Sequence, residues 1–147
     1  MRLWNLTYND PGRWAEVHAI SGKPLGFWAS LRSGGTGSPR AELVGGSGEV
    51  AELVGVESAR TACNFERTAG GAILYFRSRL EVYGAPLRLG DVSGITRVPE
   101  GSNDRLTLWC GWTDAAGETA SGSVEMRCAR NTADRLEAYI RRWLYSS

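Results

Sequence analysis

Along most of the chain apolar side chains recur at every second position, and only the C-terminal end keeps a helical spacing. Alternation puts successive side chains on opposite faces of a strand, whereas spacings of three and four put them on one side of a helix. Gly12–Ser21 therefore predicts a strand, with Trp14, Glu16, His18 and Ile20 on one face and Ala15, Val17 and Ala19 on the other. Ser21-Gly22-Lys23-Pro24 reads as a turn, and Leu25–Arg32 as the returning strand, with Phe27, Ala29 and Leu31 opposite Trp28, Ser30 and Arg32. The Gly- and Ser-rich stretch 33–39 is a loop too short to separate two domains. The pentapeptide Ala-Glu-Leu-Val-Gly then occurs at 41–45 and again at 51–55, around Gly46-Ser47-Gly48, and reads as the two arms of a hairpin.

Arg60–Glu66 predicts a short strand, and Ala72–Tyr83 a long one that bends or divides near Ser78. Leu87–Val98 carries Leu87, Leu89, Val92 and Ile95, interrupted by Gly90 and Gly94, and a turn-rich loop follows at 99–104. The segment 105–113 directs Leu106, Leu108, Cys110 and Trp112 inward, which turns Trp109 outward; 121–128 returns with Val124, Met126 and Cys128 inward. Asn131-Thr132 opens a helix on which Ala133, Leu136, Ile140, Trp143 and Leu144 form one stripe, with Glu137 and Arg141 paired on the solvent side. Trp143 is expected to plug the β core. No helices alternate with the strands, which excludes βαβ architectures. The expectation is a single mainly-β domain over 1–147, its antiparallel sheets forming a sandwich or partly open barrel capped by one C-terminal amphipathic helix.

The order Val82-Tyr83, Leu87-x-Leu89-x-Asp91-Val92-x-x-Ile95, Leu106-x-Leu108, Ala115-Ala116-Gly117 and Asn131-x-Ala133-x-x-Leu136-x-x-Tyr139-Ile140 resembles the second half of a pleckstrin-homology-like domain of the bacterial or GRAM type. That resemblance implies a seven-stranded, orthogonally packed sheet pair with the helix over one end. It also implies a binding loop between the first two strands, where such domains often hold phosphoinositides through basic residues. The corresponding candidates here are His18, Lys23, Trp28 and Arg32. The N-terminal half holds more strands than that fold requires, which keeps a calycin-like barrel open as the alternative. Gly12-Arg13-Trp14 resembles the Gly-x-Trp at the head of the first lipocalin strand. Such a barrel would hold a small apolar ligand among inward Trp14, Phe27, Tyr75, Phe76 and Trp112.

Composition narrows the function mostly by exclusion. The 42% hydrophobic and 22% charged content is that of a globular chain, and a net charge of +1 argues against nucleic acid as partner. Lys23 is the only lysine among 17 basic residues, a bias that suggests a GC-rich, bacterial source. Cys63, Cys110 and Cys128 are odd in number and lack C-x-x-C spacing, so they are read as buried hydrophobes. No apolar run has the length of an export signal or a membrane span, which makes the cytoplasm the expected location. His18 is the only histidine, which removes the parts of a histidine-based triad or a two-histidine zinc site. Phosphate-loop, dinucleotide-binding and nucleophile-elbow patterns do not occur. The expectation is no catalytic residue, no metal and no cofactor: a non-catalytic binding module whose partner is a protein, engaged through a sheet edge or the Trp109 face. The alternatives are a small apolar ligand held in a barrel, and a small bacterial or phage accessory or immunity protein that acts by occlusion.

Overall fold

The computed structural model describes residues 2–8, 10–26, 37–54, 60–78, 80–113 and 119–145, with backbone alone for 112, 113, 119 and 120. Among the described residues eight strands form one antiparallel sheet: β1 (Trp4–Asn5), β2 (Ala41–Gly46), β3 (Ala62–Arg67), β4 (Gly71–Arg77), β5 (Val82–Arg88), β6 (Val92–Glu100), β7 (Asn103–Thr113) and β8 (Thr119–Ala129). Their order in space is β1-β5-β4-β3-β2-β8-β7-β6. Two meanders, β2–β5 and β6–β8, are thus sewn together where β2 pairs with β8, with a register shift between Leu43 and Gly45. The chain is mainly β with a C-terminal helix, as expected. The sheet is open, with β1 and β6 as its edges, and so does not close into the calycin-like barrel.

One face of the sheet carries the main core, in which Cys63, Phe65, Leu74, Phe76, Leu108 and Val124 are fully buried. Across it lies α2 (Arg130–Trp143), whose stripe brings in Leu136, Ile140 and the following Leu144. Each of these three contributes about 1.5–3 kcal/mol by leaving water, an upper estimate because the unfolded chain already hides part of that area. The helix start is tied to the β6–β7 hairpin by an ion cluster. Asp104, 3% exposed, accepts from Arg97 Nε at 2.6 Å and from Arg130 Nε at 3.1 Å. Arg97 also reaches Asp134 at 2.8 Å. At the other end the Leu144 carbonyl accepts from the Gly90 and Val92 amides, and Tyr145 forms a parallel bridge to Val92.

Four local expectations need correction. Residues 12–21 form no strand: Pro11–Ser21 is an α-helix, α1, begun by the Asp10 carboxylate, which accepts from the Gly12 and Arg13 amides, with Pro11 in the first turn. Its Val17 is fully buried against Trp4, Leu6, Ile73 and Tyr75 on the outer face of the sheet. This second core explains why β4 is apolar without alternation: Ala72, Leu74 and Phe76 face α2 while Ile73 and Tyr75 face α1. Trp14 and Tyr75 therefore line no barrel interior, and Gly12-x-Trp14 sits in a helix rather than at the head of a lipocalin strand.

The two Ala-Glu-Leu-Val-Gly copies are not hairpin arms. The first is β2, whereas the second follows Gly48 (φ +57°) into a 3-10 helix, Gly48–Leu53, that tucks Val50 into the core. Residues 99–104 are no loop either: β6 and β7 pair through Glu100↔Asn103 and turn on Gly101 at φ +64°. Trp143 is half-buried instead of plugging the core, and the guanidinium groups of Arg67 and Arg142 lie over its ring, 3.5 and 4.4 Å from the centroid. The expected division of 72–83 near Ser78 matches the β4–β5 connection. Leu25–Arg32 lies largely outside the described residues, as do the Asp114–Gly117 turn and the side chain of Trp112.

Candidate functional site

The four candidate ligand residues do not assemble as one described site. His18 lies on α1, Lys23 is exposed just after it, and Trp28 and Arg32 lie outside the described residues. Asp10 and Pro11 start the helix, and the i,i+4 spacing then puts Trp14 and His18 on one side of it, ring centroids 5.4 Å apart. Where this side passes over β3 and β4 it leaves a cleft of about 350 Å³ lined by Trp14, His18, Glu66, Thr68, Ile73 and Tyr75, among others. Lys23 is not among its walls; its carbonyl accepts from the Ala69 amide, and Pro24 bridges to Thr68.

Three polar groups give this cleft its chemistry. His18 Nε2 is shut off from solvent and has no hydrogen-bond partner. A buried polar atom in that condition costs about 1–3 kcal/mol, so the folded chain carries an unmet hydrogen bond there. Glu66 is exposed, with no ion pair to a described residue. Burial pushes the Tyr75 hydroxyl up to about 12, with Glu66 adding to the shift and Arg77 opposing it, so the ring keeps its proton at neutral pH. The Arg77 guanidinium lies 5.1 Å from the same ring, and its Nε is likewise buried and unpartnered.

Helix α1 covers the outer face over β1, β5 and β4 but not the half built from β2, β8, β7 and β6. That open half carries a ladder of alternating charge. Arg127 reaches Glu42 at 3.4 Å and Glu100 at 3.9 Å; Arg105 reaches Glu100 at 3.2 Å and Glu125 at 3.6 Å; Arg60 lies 4.0 Å from Glu42. Three arginines against three glutamates leave these six residues without net charge, and such exposed pairs each contribute only about 0–1 kcal/mol. Beside the ladder, Trp109 is 49% exposed and Val98 58% exposed. The Trp109 indole lies across Gly94 of the edge strand, its Cδ1 only 3.1 Å from where a Cβ there would stand. A cross-strand ring over a glycine fills the space that a side chain would otherwise take. Trp109 therefore faces outward, as the alternation of β7 predicts.

The β6 edge is partly occupied. The Leu144–Tyr145 contact takes up Val92, and Pro99 offers no amide, so Ser93–Val98 is the stretch whose side away from β7 has no partner strand among the described residues. A more open groove of about 370 Å³, lined by Arg40, Glu42, Arg60, Arg127 and Thr132, lies near the start of α2, with two of its arginines already on Glu42. Among the described residues no three His, Cys, Asp or Glu side chains come together as a metal site. None of the described helices is long and apolar enough to cross a membrane. Sequence reasoning picked out His18 and Trp109 and named Trp14 and Tyr75 as the lining of a barrel interior, but missed Glu66 and the cleft. Asp10-Pro11, an N-cap followed by proline in the first turn, was the signal that would have placed Trp14 and His18 on a helix.

Set against protein-family models, curated proteins and solved structures, the chain matches none of them.

Proposed function

We propose that this chain is a non-catalytic binding module that takes an extended segment of a protein partner along the free edge of β6, beside the Trp109 face. The observation that carries it is a tryptophan half-exposed on the part of the sheet face that α1 leaves uncovered, next to an edge strand whose outer side along Ser93–Val98 has no partner strand among the described residues. Strand addition uses such an edge for main-chain hydrogen bonds and neighbouring apolar side chains for selectivity, and Trp is favoured where binding energy concentrates. The pleckstrin-homology-like reading is supported by the succession β2–β8 and α2: seven strands as two meanders, then one helix over the sheet. On that reading β1 and α1 are additions that cover part of the outer face. The lysine-poor composition supports a bacterial source. Phe65, Phe76, Leu108 and Met126 fill the inner face, which weighs against an apolar ligand held within the sheet.

The test compares the wild-type chain with Trp109→Thr, a change that suits a strand. Half of the ring area is already in water, so the substitution costs about 1–2 kcal/mol of stability, from roughly 100 Å² of apolar contact partly retained by Thr. A partner captured from the source cell and then purified should bind the variant at least about tenfold more weakly. It should also slow hydrogen exchange at those Ser93–Val98 amides of the wild type that point away from β7. Equal affinity of the two chains, or exchange on β6 unchanged by the partner, would overturn the assignment.

A further inference from the structure

We propose that the cleft between α1 and the β3–β4 hairpin binds a small planar nitrogen heteroaromatic that turns an N–H edge toward His18. This site is separate from the Trp109 face, being on the half of the sheet that α1 covers. Its volume of about 350 Å³ falls in the range of small-molecule sites, and its walls are mainly flat and apolar: Trp14, Tyr75 and Ile73. Two rings on different elements, with an aliphatic side chain on the same lining, favour a planar guest, because aromatic surfaces gain most from stacked or edge-on contact. The polar groups then set the chemistry of its edge. His18 Nε2 is covered and unsatisfied in the free protein, so a guest toward which the imidazole turns by a small side-chain rotation gives it a hydrogen bond with no competing partner to displace. Glu66, also on the lining, can only accept. A carboxylate, and an imidazole nitrogen in the tautomer that presents its lone pair, together call for a donor edge. The Arg67 side chain also reaches this lining, but its guanidinium lies over the Trp143 ring. The Tyr75 hydroxyl keeps its proton and adds a donor for a ring nitrogen or a carbonyl on the same guest.

Indole and 1-methylindole separate the chemistry from mere hydrophobic adsorption, since they share a ring system and differ in the N–H. His18 is the only histidine, so its imidazole resonances in an NMR titration report on this cleft alone. Indole should shift them in a saturable way, and 1-methylindole should bind about tenfold more weakly or worse, because it leaves the imidazole nitrogen unpaired. His18→Phe keeps a flat ring on α1; it should melt cooperatively and bind the two probes equally, as followed by the methyl resonances of Ile73. Trp109→Thr should leave the indole titration unchanged. Absence of any His18 shift, equal binding of the two probes by the wild type, or an N–H preference that survives in His18→Phe would each overturn the proposal. If His18→Phe fails to fold, Glu66→Gln replaces it and should weaken indole binding; no change would count equally against the site.

Discussion

If α1 is a helix laid on the outer face of the sheet, then Ile73→Ala must be costly although Ile73 points away from the main core. Ile73 is 2% exposed and packs with Trp4, Leu6, Val17 and Tyr75. Truncation removes about three carbons, or about 2.4 kcal/mol of transfer free energy at 0.8 per methylene, and the cavity left behind raises this to about 3–4 kcal/mol. With unfolding entropy near 2.1 cal/mol/K per residue, 147 residues give about 0.3 kcal/mol/K, so the melting temperature should fall by about 10 °C. Leu74→Ala, on the opposite face of the same strand, should cost a similar amount. Urea unfolding followed by circular dichroism measures both. Native-state hydrogen exchange then separates the layers, because Ile73→Ala should speed exchange in α1 more than in α2, and Leu74→Ala the reverse. An outer face left to solvent would make Ile73→Ala a change within about 0.5 kcal/mol. A measured loss below about 1 kcal/mol refutes the packing of α1 and, with it, the cleft beneath it.

Burial alone would raise the Asp104 carboxyl, but the hydrogen bonds and charges of Arg97 and Arg130 outweigh it and hold the group below its ordinary value of 3.8. A depressed carboxyl stabilises the fold above its unfolded value and loses that contribution as pH falls through the lower folded value. Urea midpoints of the wild type should therefore drop as pH goes below about 3.8, and Asp104→Asn should start lower at neutral pH with a flatter acid limb. Burial pushes the Cys63 thiol well up and the Cys110 thiol up to about 12, so alkylation mapped by mass spectrometry should label half-buried Cys128 first and the other two only on unfolding. Gly71→Ala would set a Cβ 2.0 Å from the Leu87 carbonyl oxygen and 2.8 Å from the Arg88 Cα. With backbone on both counts, its cost should reach or exceed the about 1–3 kcal/mol of an overfilled core, read as a fall in urea midpoint.

How legible the chain was depended on whether one face or two were covered. The β7–β8 hairpin has one buried face, and its alternation placed Leu106, Leu108, Val124 and Met126 inside and Trp109 outside. The terminal helix was equally plain because Ala133, Leu136 and Ile140 keep a single stripe. Helix α1 was misread because its buried contact is narrow: Val17 and Ser21 are its only fully buried residues, and the alternation of Trp14, Glu16, His18 and Ile20 is accidental. The repeated pentapeptide shows context overriding local sequence. In the first copy Ala41 and Leu43 face the core from β2, whereas ahead of the second Gly48, at positive φ, turns the chain into a 3-10 helix, and the residue that enters the core is Val50, just before the copy begins. The cleft was unreadable because its walls come from α1 and from strands some fifty residues later, brought together only by the second core.

The junction of β2 with β8 has a consequence for how the molecule reaches this state. Each meander can zip from neighbouring hairpins, but the seam joins partners such as Glu42 and Arg127, 85 positions apart, so the loop between them must close before the pairing is rewarded. Until then two strand edges lie bare, and these are the surfaces on which one chain could capture another. The seam, rather than either meander, is where the speed of folding and the hazard of aggregation meet.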